Sequence, residues 1–312
     1  MSRNFGTGSR NMADAGRMVL NAKHHGGFQT KYDIGQRWSY FSKWAAEKGF
    51  RKMETITREL VIQYGQELQA DIDNGKRKGS SSAKNYISAI NTVMGLATNQ
   101  QWQTVKPGAD CKIQQRSYIA EETKAITKEE HEQALTLVDE RTASLMELQQ
   151  HFGLRFKESA LLNAKTALKQ AIKYGIIKLS AGTKGGRKRN IPCRPHSISL
   201  LEKAASIQNG RSMIPKDKSY KEFQDECYRQ AALAGINFHS ERHFYAQQRY
   251  KEITQALCPV AASWQRKERL SKLAQYLNIS EHQARELDES ARLEISKELG
   301  HNRKEITDAY LG

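Results

Sequence analysis

Four short stretches from residue 153 onward in this 312-residue sequence hold side chains suited to chemistry on an anion. "GLRFKE" carries Arg155 and Glu158, "TKGGRKR" carries Lys184, and "HSERH" carries His239, Arg242 and His243. "LGH" ends in His301, and Tyr310 follows nine positions later. A guanidinium presents a flat fork that matches two oxygens of a phosphate and stays charged. Imidazoles hold or move a proton near neutrality. A phenol, with an ordinary pKa near ~10, attacks at neutral pH only with a base or a positive field beside it. Taken singly, each stretch has a plain reading: a surface charge, a solvated lysine at a hairpin tip, two histidines one helical turn apart without a third metal ligand, a packing tyrosine.

These groups need elements to carry them. From about Thr30, Ile34, Trp38, Phe41 and Ala45 fall on one helical face. After the basic break "NGKRKGSSS", Ser81 or Ser82 caps a helix with Tyr86, Ile90, Val93 and Ala97 in a stripe. Its other face shows Lys84, Asn85, Ser88 and Asn91, all of a length to reach phosphates or base edges. Residues 1–28 read as a basic flexible arm, 29–106 as a small helical domain and 107–125 as a linker. A second domain, 126–312, opens on the capping-box pattern Thr127-x-x-Glu130. Within it, β-branched residues flank a Gly-rich turn in "GIIKLSAGTKGGRKRNIPC", a hairpin whose tip holds Lys184, Arg187, Lys188 and Arg189.

Fifty Lys and Arg against 34 Asp and Glu leave a formal charge of +16, which favours a polyanionic partner such as nucleic acid. No apolar run reaches the length of a membrane span, so a cytoplasmic protein is expected. The four cysteines are widely separated and lack zinc or disulfide spacing, and neither a metal nor another cofactor is expected.

In order and residue type the four stretches together resemble the catalytic domain of the tyrosine recombinases, the phage integrase family. That family has Arg in a "GLR-x-x-E" segment, Lys on a β-hairpin, an "H-x-x-R-H" helix, and "LGH" with a nucleophilic Tyr nine residues beyond its His. The resemblance covers residues 126–312 and, more loosely, the preceding helices. It implies a mainly α fold with a small β-hairpin: a helical, SAM-like core-binding domain followed by an α+β catalytic domain. It implies six catalytic residues, Arg155, Lys184, His239, Arg242, His301 and Tyr310, supported by Glu158 and His243. Arg187, Lys188 and Arg189, with Lys84 and Asn85, become expected DNA contacts. The implied activity is site-specific cleavage and rejoining of double-stranded DNA through a 3′-phosphotyrosyl intermediate, by a homotetramer on paired sites in a bacterial nucleoid, with accessory DNA-bending proteins as possible helpers. A type IB topoisomerase and a non-catalytic DNA-binding regulator are the alternatives.

Three features depart from the family pattern. Glu241 stands where Leu is usual, and either pairs with Arg242 or faces outward. Almost sixty residues separate Arg242 from His301, about twice the usual stretch. They include an insert, 254–292, in which Leu270, Leu273, Ala274, Leu277, Ile279, Ala284 and Leu287 are spaced as in a helix-turn-helix, leaving DNA reading, helical decoration and subunit contact open. His282 there reads as a surface residue. The sequence stops at Gly312, where many members continue into a tail.

Overall fold

The computed structural model describes residues 3–76, 79–115 and 117–312, and divides into two units, Met1–Ser117 and Tyr118–Gly312. In the first unit, α1 (Met12–Lys23), α2 (Phe28–Glu47), α3 (Arg58–Asp73) and α4 (Ser80–Ala97) enclose one apolar core. The α2 face expected from the sequence is the face that packs, with Trp38, Phe41 and Ala45 fully buried. Helix α4 starts at Ser80 with Gly79 in the cap position, ahead of the Ser81 or Ser82 expected there.

The flexible arm expected over 1–28 is not what residues 12–23 form. Asn11 caps α1 through its side chain, and Met12, Ala15, Val19 and Leu20 are buried. The spacing of these residues is that of a helix face. Trp38 Nε1 donates to the Met12 carbonyl at 2.9 Å, and its ring lies where a Cβ on Gly16 would stand. A residue with any side chain there would lift α1 off α2.

Residues 107–125 are likewise not a loose connection. Val105, Cys111 and Ile113 enter the first core, and Ala120 N–H donates to the Asp308 carbonyl at 2.9 Å within the second unit. Both ends of the expected linker are therefore held by backbone bonds or apolar burial.

The second unit begins with α5 (Lys128–Leu137), whose Thr127–Glu130 capping box is formed, followed by α6 (Glu140–Phe152), α7 (Phe156–Ala160) and α8 (Ala164–Tyr174). Strands β1 (Ile176–Leu179) and β2 (Arg189–Pro192) pair antiparallel, with Ile177 opposite Ile191 and Leu179 opposite Arg189. Then come α9 (Ile198–Ile207), α10 (Tyr220–Leu233), α11 (Phe238–Thr254), α12 (Arg269–Leu277), α13 (Glu281–Glu298) and α14 (Asp308–Leu311). Leu145, Leu148, Phe152, Ile177, Ile191, Tyr245, Ile295 and Leu299 form the centre of its core. The insert is α12 plus most of α13, joined at Asn278 in the left-handed conformation, with Leu273, Ala274 and Ala284 buried against Ala256. Its expected end at 292 is not a boundary, because α13 runs on unbroken to Glu298. No helix among the described residues is long and apolar enough to cross a membrane.

Candidate active site

Four elements of the second unit converge on one cluster. Gly153 ends α6 in the left-handed conformation, and the chain turns at once into Arg155, which precedes α7. Helix α11 supplies His239, Arg242 and His243 from its first turns, the end of α13 leads to His301, and α14 carries Tyr310. Burial is graded across the cluster: Arg242 is 0% exposed and Tyr310 7%, Arg155 and His301 are half-buried, and His239 reaches the surface.

The two guanidiniums meet at one atom. Arg242 Nη2 donates to the Leu299 carbonyl oxygen at 2.5 Å, and Arg155 Nη2 approaches the same oxygen at 3.4 Å. Arg242 also donates Nη1 to the Gly153 carbonyl and Nε to the Tyr310 phenol oxygen at 3.2 Å. Arg155 Nη2 lies 3.2 Å from His301 Nε2. The Tyr310 ring sits 4.7 Å from that of His243 and 5.9 Å from that of His239, centre to centre. A phenol, two guanidiniums and three imidazoles thus share one corner of the fold. Lys184 stands apart on the exposed hairpin turn, without a hydrogen-bonding partner among the described residues, though its charge is felt at His301.

Glu158 underlies the cluster. Fully buried, it accepts from the Arg155 backbone N–H at 2.7 Å and from Arg155 Nη1 at 2.8 Å. Burial alone would raise its pKa, but the Arg189 hydrogen bonds and charge, helped by Arg155, hold it at about 2. Arg189 therefore is not the exposed DNA contact expected at the hairpin tip. It lies in β2 opposite Leu179, its side chain is 6% exposed, and it donates Nε to the Glu298 carbonyl. Arg187 and Lys188, just before the strand, are exposed.

The cationic surroundings set the imidazoles. Burial, then the charges of Arg155, Arg242, Lys184 and Arg189, bring His301 down to about 4. His243 is also lowered to about 4, by burial first and then by His239, Lys124 and Arg242. His239 moves the same way, through lost hydration ahead of Arg242 and Arg155. All three are neutral at pH 7 and able to accept a proton. Burial also draws Arg242 down to about 10, which leaves it charged.

Glu241 does neither thing expected of it. It is fully buried, turned away from Arg242, and bonds His131 Nδ1 at 2.9 Å and Gln150 Nε2 at 3.0 Å, tying α5 and α6 to α11. In the first unit Lys84 is half-buried and Asn85 exposed on α4, whereas Asn91 is occupied with Trp102 Nε1 and the backbone of Val105. Among the described residues no group of three or more His, Cys, Asp or Glu is arranged to hold a metal ion.

The integrase family model matches residues 113–248, a span that takes in Arg155, the hairpin and the whole of the His239–His243 stretch. Over that span the chain matches the integrase family. Among solved structures, the chain is similar to a λ integrase dimer bound to a COC′ core site, at 17% identity and a TM-score of 0.54, over 88% of this chain and 75% of that one. It is also similar to the Tn1549 transposon integrase in complex with a circular intermediate DNA, at 9% identity and a TM-score of 0.60, over 97% and 96% of the two chains. At these identities the likeness establishes a tyrosine recombinase fold. No curated protein matches this chain.

Proposed function

We propose that this chain is a site-specific tyrosine recombinase that breaks and rejoins double-stranded DNA through a covalent bond to Tyr310. The observation that carries the reading is the shared approach of Arg155 and Arg242 to the Leu299 oxygen, with the Tyr310 phenol on Arg242. Two guanidiniums so placed suit the oxygens of one phosphate, and a phenol beside them is placed to attack its phosphorus.

In this reading the Tyr310 oxygen forms a bond to phosphorus as the bond to the 5′ oxygen breaks. His239, neutral at pH 7, takes the phenolic proton, and Lys184 on its hairpin gives a proton to the departing 5′ hydroxyl. Arg155, Arg242 and His301 donate to the non-bridging oxygens of the pentavalent phosphoryl group, where loss of one preorganised donor costs on the order of 100- to 1000-fold in rate. Glu158 holds Arg155 in register. The 3′-phosphotyrosyl ester keeps the energy of the broken bond, so another strand's 5′ hydroxyl reseals it without ATP. The λ structure is of a dimer on its core site, and a second is of a tetramer on a Holliday junction; a tetramer on paired sites is proposed for this chain too.

The test is a pool of randomised duplexes, each carrying one nick, from which a cleaved fragment diffuses away before religation. Protein-linked DNA stable to detergent is expected from the wild-type chain and none from Tyr310→Phe. Failure to capture any duplex, or equal capture by Tyr310→Phe, overturns the proposal.

A further inference from the structure

Helix α14 has only four residues, too few to hold its own shape or place, because a single helical turn forms at a net cost. Its position must come from what it touches. Arg242 holds the Tyr310 phenol, Gln247 Nε2 the Tyr310 carbonyl and Ala120 N–H the Asp308 carbonyl. The remaining polar contacts come from the insert, which the proposed chemistry does not otherwise use.

Arg292 of α13 is 2% exposed and spends every nitrogen on this task. Its Nε lies 2.9 Å from both oxygens of Asp288, its Nη1 donates to Asp308 Oδ1 at 3.0 Å, and its Nη2 donates to the Gly312 carbonyl at 2.8 Å. Asp288, 1% exposed, is fixed in turn by the Tyr250 hydroxyl at 2.7 Å and by Arg269 at 3.6 Å. Arg266 reaches the other oxygen of Asp308 at 3.1 Å from the surface. The backbone joins in, with Val260 N–H donating to the Leu311 carbonyl at 2.9 Å. Asp308 and Leu311 flank Tyr310, so the residue on the phosphate side of α14 is held from the insert side.

Buried charges of this kind contribute little net stability compared with apolar packing, but they fix geometry. We propose that Arg292 is a positioning residue, and that the insert serves as a clamp which sets the Tyr310 phenol against Arg242 through Asp308. This rests on the strand-joining reading given above. A clamp also accounts for the length of the insert: α12 and the preceding loop deliver Arg266, Arg269 and Val260, and α13 delivers Asp288 and Arg292.

The experiment uses the full chain and a nicked duplex recovered from the randomised pool. Asp308→Asn removes the charge with little change of shape, and Arg266→Gln removes the exposed half of the clamp. At saturating duplex, Asp308→Asn should slow covalent joining about 10- to 100-fold, the penalty of a small misplacement of a reacting group. Duplex affinity should stay close to wild type in both variants. Asp308→Asn lowers the thermal midpoint because buried Arg292 loses a countercharge, whereas Arg266→Gln, at an exposed position, should slow joining to a smaller extent with the midpoint unmoved. In parallel, 3-fluorotyrosine incorporated at Tyr310 should give a sharp resonance in the wild-type background and a shifted or broadened one in both variants. Wild-type joining rates in both variants, or an unmoved resonance, overturn the clamp. Should Asp308→Asn not fold, Arg266→Gln decides alone. If the wild-type chain joins no duplex, the strand-joining reading falls, and the resonance alone upholds or overturns the clamp.

Discussion

Arg189 Nη1 and Nη2 lie 2.9 and 2.8 Å from the two carboxylate oxygens of Glu158, a two-pronged grip between β2 and α7. Through it the hairpin that carries Lys184 is pinned to the segment that carries Arg155. One carboxylate therefore spaces two parts of the site, from a position out of reach of solvent.

Glu158→Gln removes the countercharge of a buried guanidinium while leaving a group of the same size. Breaking one side of a buried pair costs about 3–5 kcal/mol. Denaturant titration is expected to show a loss in that range, with joining activity falling as Arg155 loses its support. A midpoint unchanged from wild type would contradict the role given to Glu158.

The hairpin offers an internal contrast. Arg187→Ala and Lys188→Ala, at exposed positions, should leave stability within about 0.5 kcal/mol of wild type. If those side chains meet phosphates, each substitution lowers the salt dependence of DNA binding by about one ion. Arg189→Ala should do the reverse, destabilising the fold with a salt slope that does not move. Matched melting curves and salt titrations on the three variants separate the roles.

Gly153 has φ of +60°, and a Cβ there would stand 2.5 Å from the Tyr245 ring and 3.0 Å from Leu299. Its carbonyl also receives Arg242 Nη1. Gly153→Ala combines backbone strain with overpacking, for which about 1–3 kcal/mol is usual. The expected outcome is a lower thermal midpoint and a joining rate that falls further than binding does.

Acid stability should decay in two stages. His151, His243 and His301 are each lowered to about 4 from an ordinary 6.5, chiefly by burial. The unfolded chain binds more protons between these values, so stability is complete above 6.5 and declines as pH falls toward 4. Glu158, held at about 2 from an ordinary 4.5, adds a second window, its contribution being full above 4.5 and lost as pH falls toward 2. Melting temperature measured from pH 7 to pH 3 should show both stages. His151→Gln should shrink the upper one alone, and a flat profile from 6.5 to 4 would contradict the burial of these rings.

The sequence exposes the members of the cluster because residue type and order survive in it, from "GLRFKE" to Tyr310. It hides partners that act through the backbone. The carbonyls of Gly153 and Leu299 take both terminal nitrogens of Arg242 and leave no mark on residue type. Arg189 was concealed by company, since "GRKR" looks like one solvated basic run until the strand register turns its last residue inward. Helix α1 was concealed by its Gly-, Asn- and Ser-rich flanks, although Met12, Ala15, Val19 and Leu20 already carry helical spacing. Asp288 and Arg292, four apart on α13, could have been paired from the sequence, but their link to Asp308 needed the fold.

Arg242 has no surface open to solvent, and every nitrogen of its guanidinium is engaged by a protein oxygen, one of them the Tyr310 phenol. An empty molecule is thus a sheathed blade. On the proposed reading, a phosphate oxygen entering from outside has to displace at least one of those contacts before it can be gripped, so a strand to be cut must first loosen the hold on the phenol. Encounters too brief to do so would pass without a break in the duplex.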